Sequence, residues 1–559
     1  MSVRKLRDTR FGAILYRSMT ASGFPQSRAG KVILRWYGEL RFVHRLFRRR
    51  HLFRFFGDQS RSMPESGPRI VLNLAANYEY RNLLFLSFLA VKLAIKGGRP
   101  YVLVDDNVLE QHDLGHYSGR STKNSFRDWY TRQFLKHISF YRGYSEFITD
   151  EERERVDRDA VSLFKSQDFT INGINLWPAV ESSLVRYYLS SAGLVQDEPD
   201  YEEMALSFIR NALLSYRIAI NVRKKLKPDA LVMYHGIYST WAPFAEYYKQ
   251  RNVPVVIYGL WGFRGNNVRY VSSQTDLLFN ACKDQIDVLD AAKSASELMD
   301  ARFAFRSRDL TRYGKYGHDP HVIERLKVHQ ADRKAFALFT NVLWDTSLAD
   351  GHTIFRTPLE WIRETIEYFL DHPELVLLIR AHPAETSTMK PRVSVKDIVS
   401  RELGTKLSDN ELTFVENIGF IPSALKLKSY SLFDIIDAGI VYNGTLGLEM
   451  MYAGLPVLVA GQAPYLNTSF VTRFTRKEEY FQSVEGLEGI VARQEAHRAE
   501  LLQFIHYYFD LLEMPLRHLG TKRDLIDPPD VILQEPAFER LASDIMEKAG
   551  GMKLLLANA

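Results

Sequence analysis

Short apolar runs bounded by Gly, Pro or polar pairs alternate along this chain with longer amphipathic stretches. "RIVLNLA" (69–75) predicts a strand, "YRNLLFLSFLAVKLAIKGG" a helix closed by Gly97 and Gly98, and "PYVLVDD" a second strand. This β-α-β order is the unit of a doubly wound sheet. From Asn107 to about Glu203 the pattern turns polar and helical with no clear strand, as in "TDEERERVDRDAVSLF", and predicts a helical insertion. The strand pattern resumes with "DALVMYHGIYS" and "VPVVIYGLWG", separated by the helix "WAPFAEYYKQRN".

A charged passage with Gly and Pro near its middle, about 290–330, precedes a second series. "KAFALFTNVLWDTS" predicts a strand ending at Thr340 and Asn341. "TPLEWIRETIEYFLDHP" predicts a helix with Thr357 as N-cap, Pro358 at the first helical position and Glu360 completing a capping box. "LVLLIRAHPAE" (375–385) reads as a strand buried on both faces that stops at His382 and Pro383. "ELTFVEN" and "AGIVYNG" predict strands with the helix "SYSLFDIID" between them. "TLGLEMMYAG" predicts a short helix closed by Gly454, and "LPVLVAG" a last strand.

Two such series predict two Rossmann-like α/β domains facing a cleft. The segments are an arm over 1–60, an N-terminal domain over 61–300 with the insertion at about 107–203, and a linker over 301–330. A C-terminal domain over 331–490 and helices over 491–559 packing back across the domains complete the chain. At 559 residues it exceeds what one core supports.

Charge changes the picture at one end only. Residues 1–57 hold 14 Lys or Arg against Asp8 and Glu39, a net +12, so the rest of the chain carries 6 − 12 = −6. Within that arm Ile33, Trp36, Leu40, Val43 and Phe47 follow helical spacing, with Arg41, Arg45 and Arg48 on another face. Such a helix suits an anionic membrane surface, and it equally suits packing on the body with a solvated Arg face. An acidic remainder without a binding module argues against nucleic acid. One cysteine, Cys282, rules out an internal disulfide. With no spanning segment and no signal-peptide pattern, the expected location is cytoplasmic and peripheral to the inner membrane.

Ligands of parallel sheets gather at the carboxyl ends of strands, so the polar groups there are the candidates. In the second series these are Arg380, His382 and Pro383, and the turn Asn443-Gly444-Thr445. Gly444 permits a tight turn, Thr445 caps the helix or meets a phosphate, and Glu449 is placed for ribose hydroxyls or for solvent. His382 can donate to a phosphate, and Arg380 either contacts phosphate or pairs with an acid. In the first series the candidates for a general base are Asp106, His235 and Glu79, each with an alternative role in a cap or turn.

"IRAHP", followed some sixty residues later by "NGTLGLEMMYAGLPVLVAG", resembles the donor half of capsule polysaccharide biosynthesis proteins, a group that includes bacterial Kdo transferases. More distantly it resembles bacterial sialyl- and polysialyltransferases, whose His-Pro and Ser/Thr motifs hold the CMP of a CMP-sugar. "FTNVLWDTS" and "YHGIYSTWAPFAEYYKQRNVPVV" are similar to further segments of the family, so the likeness spans about 229–461. The resemblance implies a GT-B glycosyltransferase with the donor held mainly by the C-terminal domain, no cofactor beyond the nucleotide sugar and no obligatory metal. It assigns His382 and Pro383 to the His-Pro motif, Thr445 to the Ser/Thr position and Glu449 to the acid that follows. Asn341 and Asp345 fall in the loop after the first donor-domain strand, Asp345 among the catalytic candidates. The Asn-Gly-Thr turn departs from the Ser-rich family turn, and the insertion has no family counterpart.

The expected reaction is transfer of a sugar, CMP-Kdo or a similar CMP-sugar among the candidates, to a surface or capsular polysaccharide or a lipid-linked acceptor. An assembly complex and an anionic membrane surface are the expected partners. A CDP-glycerol-type glycerophosphotransferase, a nucleotide-sugar 2-epimerase and a non-catalytic scaffold are the alternatives.

Overall fold

The computed structural model describes residues 50–75, 80–110, 135–260, 263, 267–271, 275–345, 354–387, 391–519 and 527–550. Among them two largely parallel sheets stand out, one in each half of the chain. The first is built from β1 (Arg69–Asn73), β2 (Arg99–Val104), β3 (Tyr141–Gly143), β6 (Ala230–Tyr234), β7 (Val255–Gly259), β8 (Asn267–Tyr270) and β15 (Glu513–Pro515), in the order β15-β8-β7-β6-β1-β2-β3. A two-stranded hairpin of β4 (Thr170–Ile171) and β5 (Ile174–Asn175) stands apart. The second sheet holds β9 (Lys334–Phe339), β10 (Leu375–Arg380), β11 (Thr413–Val415), β12 (Ile418–Ile421), β13 (Ala438–Val441) and β14 (Val457–Val459), in the order β11-β12-β10-β9-β13-β14.

Each sheet is covered on both faces because alternate side chains of a strand point to opposite sides. In β1 and β6, Val71, Leu231 and Met233 join one core, while Ile70, Leu72, Ala230 and Val232 join the other. In β10, Val376 and Leu378 face one layer of the second domain, and Leu375, Leu377 and Ile379 the opposite layer. All six residues of β10 are buried, with β9 and β12 paired parallel on either side. These two doubly wound domains are the two Rossmann-like α/β units expected from the strand pattern.

The helices used below are α1 (Arg50–Ser60), α2 (Tyr80–Ile95), α3 (Trp177–Tyr188), α4 (Tyr201–Leu226), α5 (Val288–Phe303), α6 (Leu446–Tyr452) and α7 (Pro536–Ala549). α1 is the described end of the basic arm. It buries Leu52, Phe53 and Phe56, with Phe56 edge-on to Phe88 of α2 at 4.9 Å, and leaves Arg50 and Arg54 exposed. The stripe from Ile33 to Phe47 lies outside the described residues, as does Glu79. No helix among the described residues is long and apolar enough to cross a membrane. The C-terminal segment returns to the first domain: β15 pairs antiparallel with β8, and Phe538 of α7 stacks on Phe85 of α2 at 5.2 Å.

Four local readings change. The insertion carries β3, a strand of the main sheet in parallel register with β2, which its three residues were too few to reveal. The segment after β10 forms a hairpin in which β12, not the "ELTFVEN" strand β11, is the parallel partner of β10. "SYSLFDIID" holds only a 3-10 turn, Ser429–Leu432, in place of a helix. Thr357 accepts the Glu360 N–H at 3.0 Å as predicted, but the Glu360 carboxylate takes the N–H of Arg356 instead of closing the box on Thr357.

Candidate functional site

Strand order locates a crevice in each sheet. In the second sheet the chain runs from β9 to β10 and β12 on one side and then returns to β13 and β14 on the other, so β9 and β13 flank the switch point. A ligand crevice opens there at the carboxyl ends. Asn341 follows β9 and Gly444 follows β13, and the Asn341 amide nitrogen lies 3.7 Å from where a Cβ on Gly444 would stand. His382 follows β10, the other neighbour of β9. In the first sheet the switch point lies between β1 and β6, and His235 follows β6.

The His-Pro loop is built to orient its imidazole. The Thr340 hydroxyl accepts the His382 N–H at 3.0 Å, tying the loops after β9 and β10 together. His382 Nδ1 accepts the N–H of Ala384 at 3.1 Å. A backbone N–H is always a donor, so a neutral ring carries its proton on Nε2, the nitrogen suited to donate to a phosphate oxygen. Pro383 joins these two residues and sets the turn into the helix Ala384–Ser387.

Glu385, one residue further, is buried, accepts the Val395 N–H at 3.2 Å and is pushed by burial up to about 7. The sequence pattern gives no sign of it, because an acid in a first helical turn ordinarily faces solvent.

Thr445 starts α6 without capping it, and its half-exposed hydroxyl has no partner among the described residues. That corrects the capping role and leaves the hydroxyl for a ligand. The glycine that packing demands is Gly447: a Cβ there would meet the Tyr465 hydroxyl at 2.2 Å. That hydroxyl donates to the Gly444 carbonyl at 2.6 Å and so holds the turn.

Two donor-side candidates prove to be internal. Arg380 is 1 % exposed, and its guanidinium donates to the carbonyls of Pro422, Leu425 and Leu427 at 2.5, 3.2 and 2.9 Å. Those carbonyls belong to the turn after β12, so Arg380 braces that turn instead of meeting phosphate. Burial lowers its pKa to about 10, which keeps it charged at neutral pH. Glu449 is neither solvated nor open to ribose. It is 2 % exposed, pairs with Arg302 of α5 at 2.7 Å and accepts the Tyr430 hydroxyl at 2.6 Å. Burial alone would lower the Arg302 pKa, and the carboxylates of Glu449 and Asp309 more than offset it.

On the acceptor side Asp106 is a turn residue. Its carboxylate takes the backbone N–H and hydroxyl of Ser145 at 2.9 and 2.5 Å, which is what its place beside β3 requires. Asp105 likewise accepts the N–H groups of Val108 and Leu109. The backbone of Asp345 closes the turn Leu343–Asp345 after β9.

His235 differs from these aspartates. Its φ is +61°, a left-handed conformation that a residue with a Cβ adopts at a cost of order 1–3 kcal/mol. Its ring lies among Tyr234, Tyr238 and Trp241, and burial, helped by the nearby Arg186 cation, lowers its pKa to about 4. The imidazole is therefore neutral at physiological pH, with its proton affinity held below the ordinary histidine value. His235 also lines a cavity of about 330 Å³ with Asn175 and Leu176 of the insertion, Ala179 of α3, and Glu246 and Gln250 from the helix Ala242–Lys249 and its C-cap.

The two crevices meet through the insertion. Val342 and Trp344 from the loop after β9, and Ala384 from the His-Pro loop, are buried in the same cluster as α3, α4 and Tyr234. The Arg186 guanidinium of α3 lies over the Trp344 ring at 4.4 Å. Neither residue was singled out from the sequence, since an Arg in a polar helical stretch carries no positional signal until the fold brings it to the cleft.

By sequence, no protein-family model and no curated protein matches this chain. Among solved structures it is similar to the Thermosulfurimonas dismutans KpsC β-Kdo 2,4 transferase, at 15% identity over 55% of this chain and 87% of that one, with a TM-score of 0.33. The β-Kdo 2,7 transferase of the same KpsC matches at 15% identity over 59% and 88%, with a TM-score of 0.31. The UDP-GlcNAc 2-epimerase of Neisseria meningitidis bound to UDP-GlcNAc matches at 13% identity over 79% and 98%, with a TM-score of 0.24. Likeness at this level carries no argument about activity.

Proposed function

We propose that this chain is a GT-B glycosyltransferase that moves a sugar from a nucleotide donor to a surface or capsular polysaccharide or a lipid-linked acceptor, with CMP-Kdo and similar CMP-sugars the first donors to try. The observation that carries the reading is the convergence of Asn341, His382 and Thr445 on the switch point of one sheet, with His235 at the switch point of the other. β10 and β13 flank β9, so at about 4.8 Å per strand their loops stand roughly 10 Å apart, a span suited to a phosphate and the groups attached to it.

In this reading the donor phosphate lies between β9 and β13. His382 Nε2–H donates to a phosphate oxygen and stabilises the charge that develops as the anomeric C–O bond breaks, an effect of roughly 2.7–4 kcal/mol for one such donor. The acceptor approaches from the cavity beside α3. Neutral His235 takes the acceptor hydroxyl proton as the new glycosidic bond forms, and the nucleotide leaves with the phosphate oxygen. A cavity on the acceptor side favours transfer over 2-epimerisation, which needs no second substrate. The basic arm supports placement at an anionic membrane surface, which flotation with anionic vesicles, with and without residues 1–49, would test.

A panel of nucleotide sugars, read by thermal shift and by transfer, tests the function. The expected result is stabilisation by one nucleotide class and a fall of at least about 100-fold in transfer for His382→Ala. No shift with any nucleotide, together with unchanged transfer in His382→Ala, would overturn the proposal. Conversion of donor without added acceptor would assign the epimerase reaction, and turnover of CDP-glycerol the glycerophosphotransferase.

A further inference from the structure

The cavity that His235 lines also holds polar side chains with no part in the proton transfer. One wall comes from the insertion. There β4 and β5 are joined by Asn172 and Gly173, whose φ values of +50° and +79° give the tight two-residue turn that matches the twist of a hairpin. The Asn172 amide donates to the Tyr216 hydroxyl of α4 at 2.8 Å and fixes the tip. Another wall is the helix Ala242–Lys249 with its C-cap, which places Glu246 and Gln250 one turn apart on the same face. The Gln250 amide nitrogen lies 3.6 Å from where a Cβ on Gly173 would stand, so hairpin and helix meet at the cavity.

At about 330 Å³ the cavity is at the small end of the roughly 300–1,000 Å³ typical of small-molecule sites, with room for a terminal sugar and little beyond it. The Asn175 carbonyl accepts the N–H of Trp177 at 3.0 Å, whereas its amide N–H groups and the Gln250 side chain have no partner among the described residues. Amides and a carboxylate together offer donors and acceptors, the complement of hydroxyls that do both. Charge in the wall cancels: Glu246 and Lys249 pair at 2.8 Å, and His235 is neutral at physiological pH. The Arg186 cation near His235 lies over Trp344 and is not part of the wall. An anionic group entering the cavity therefore sheds water and meets no unpaired cation there, which disfavours it.

We propose that this cavity is the acceptor subsite and takes an uncharged, hydroxyl-rich terminal sugar, with the closed Glu246–Lys249 pair selecting against sugar acids. The proposal rests on the transfer reading above, which supplies the role of His235. Hydroxyls of the ring reach Asn175, Glu246 and Gln250 while its C–H face lies against Ile237 and Pro178, and one hydroxyl stays at His235 for transfer.

Saturation-transfer NMR titrations on the full chain test this, with methyl glycosides of glucose, galactose, mannose and N-acetylglucosamine beside those of the matching uronic acids. At least one neutral glycoside is expected to bind, and its uronic acid about fivefold or more weakly. Glu246→Gln leaves Lys249 unpaired and is expected to shift that ratio toward the acid by about threefold or more, whereas Lys249→Gln is expected to shift it further toward the neutral sugar. Both side chains are half-exposed, and the ratio is read within each variant, so a change in stability does not move it. An acid bound as tightly as its neutral counterpart, a ratio unmoved in both variants, or no binding by any glycoside overturns the inference, and a nucleotide-induced thermal shift in the same protein then leaves the transfer reading intact. Glycoside binding without any nucleotide shift overturns the transfer reading and the acceptor role with it.

Discussion

At the residue scale, half-buried His235 and buried Glu385 titrate in opposite senses. The folded-state pKa of His235 is depressed from 6.5 to about 4, so between those values the unfolded chain binds more protons and stability rises with pH. That of Glu385 is raised from 4.5 to about 7, so in that window the folded chain binds more protons and stability falls as pH rises. The two trends largely cancel between about 4.5 and 6.5. His235→Gln is expected to expose the falling trend and Glu385→Gln the rising one, measured as denaturation midpoints at pH 4.5, 5.5, 6.5 and 7.5. Glu385→Gln should also be more stable than the parent at pH 7.5, by about 1–3 kcal/mol, because it removes a buried charge and keeps an acceptor for the Val395 N–H. Identical pH profiles for all three proteins would refute both assignments.

At the scale of elements, the sequence made the central parallel strands legible because burial on both faces requires an unbroken apolar run. β10 showed this most plainly, and its His-Pro ending marked the loop that carries His382. The short pieces β3 and β12, and the 3-10 turn Ser429–Leu432, were not legible, since three or four residues cannot display a period. Sequence also could not separate Gly444, in the turn before α6, from Gly447, in the first turn of that helix. Position in the fold does: Gly444 has ordinary dihedrals, and a methyl added there would have its nearest neighbour at 3.7 Å, whereas a methyl at Gly447 collides with a fully buried Tyr465. Gly444→Ala is expected to change stability by less than about 0.5 kcal/mol, and Gly447→Ala to cost about 1–3 kcal/mol by forcing overpacking. Thermal unfolding of the two variants checks this, and equal behaviour would contradict it.

The whole molecule explains why Arg380 and Glu449 misled. Both stand where strand-end chemistry belongs, and the pattern cannot show that the turn after β12 folds over the one or that α5 returns to the other. Arg302 of α5 pairs with Glu449 and Asp309 and lies 4.6 Å over Phe509, joining the segment between the two sheets to the donor domain. Glu449→Ala leaves a buried guanidinium with Asp309 alone, and a loss of about 3 kcal/mol is expected, the lower end for breaking a buried pair. Urea denaturation measures it, and a loss below about 1 kcal/mol would show that the pair holds nothing together. Nucleotide affinity of any folded Glu449→Gln protein should stay within about threefold of the parent, since the carboxylate serves the frame and not the ribose.

The proposed function seats a nucleotide phosphate between β9 and β13. A crystal structure of the protein with the nucleotide that gives the largest thermal shift tests it most directly. A phosphate oxygen is expected within about 3 Å of His382 Nε2 and another within reach of the Thr445 hydroxyl. A nucleotide seated elsewhere, with His382 making no contact to it, would rule out a donor site at the His-Pro loop.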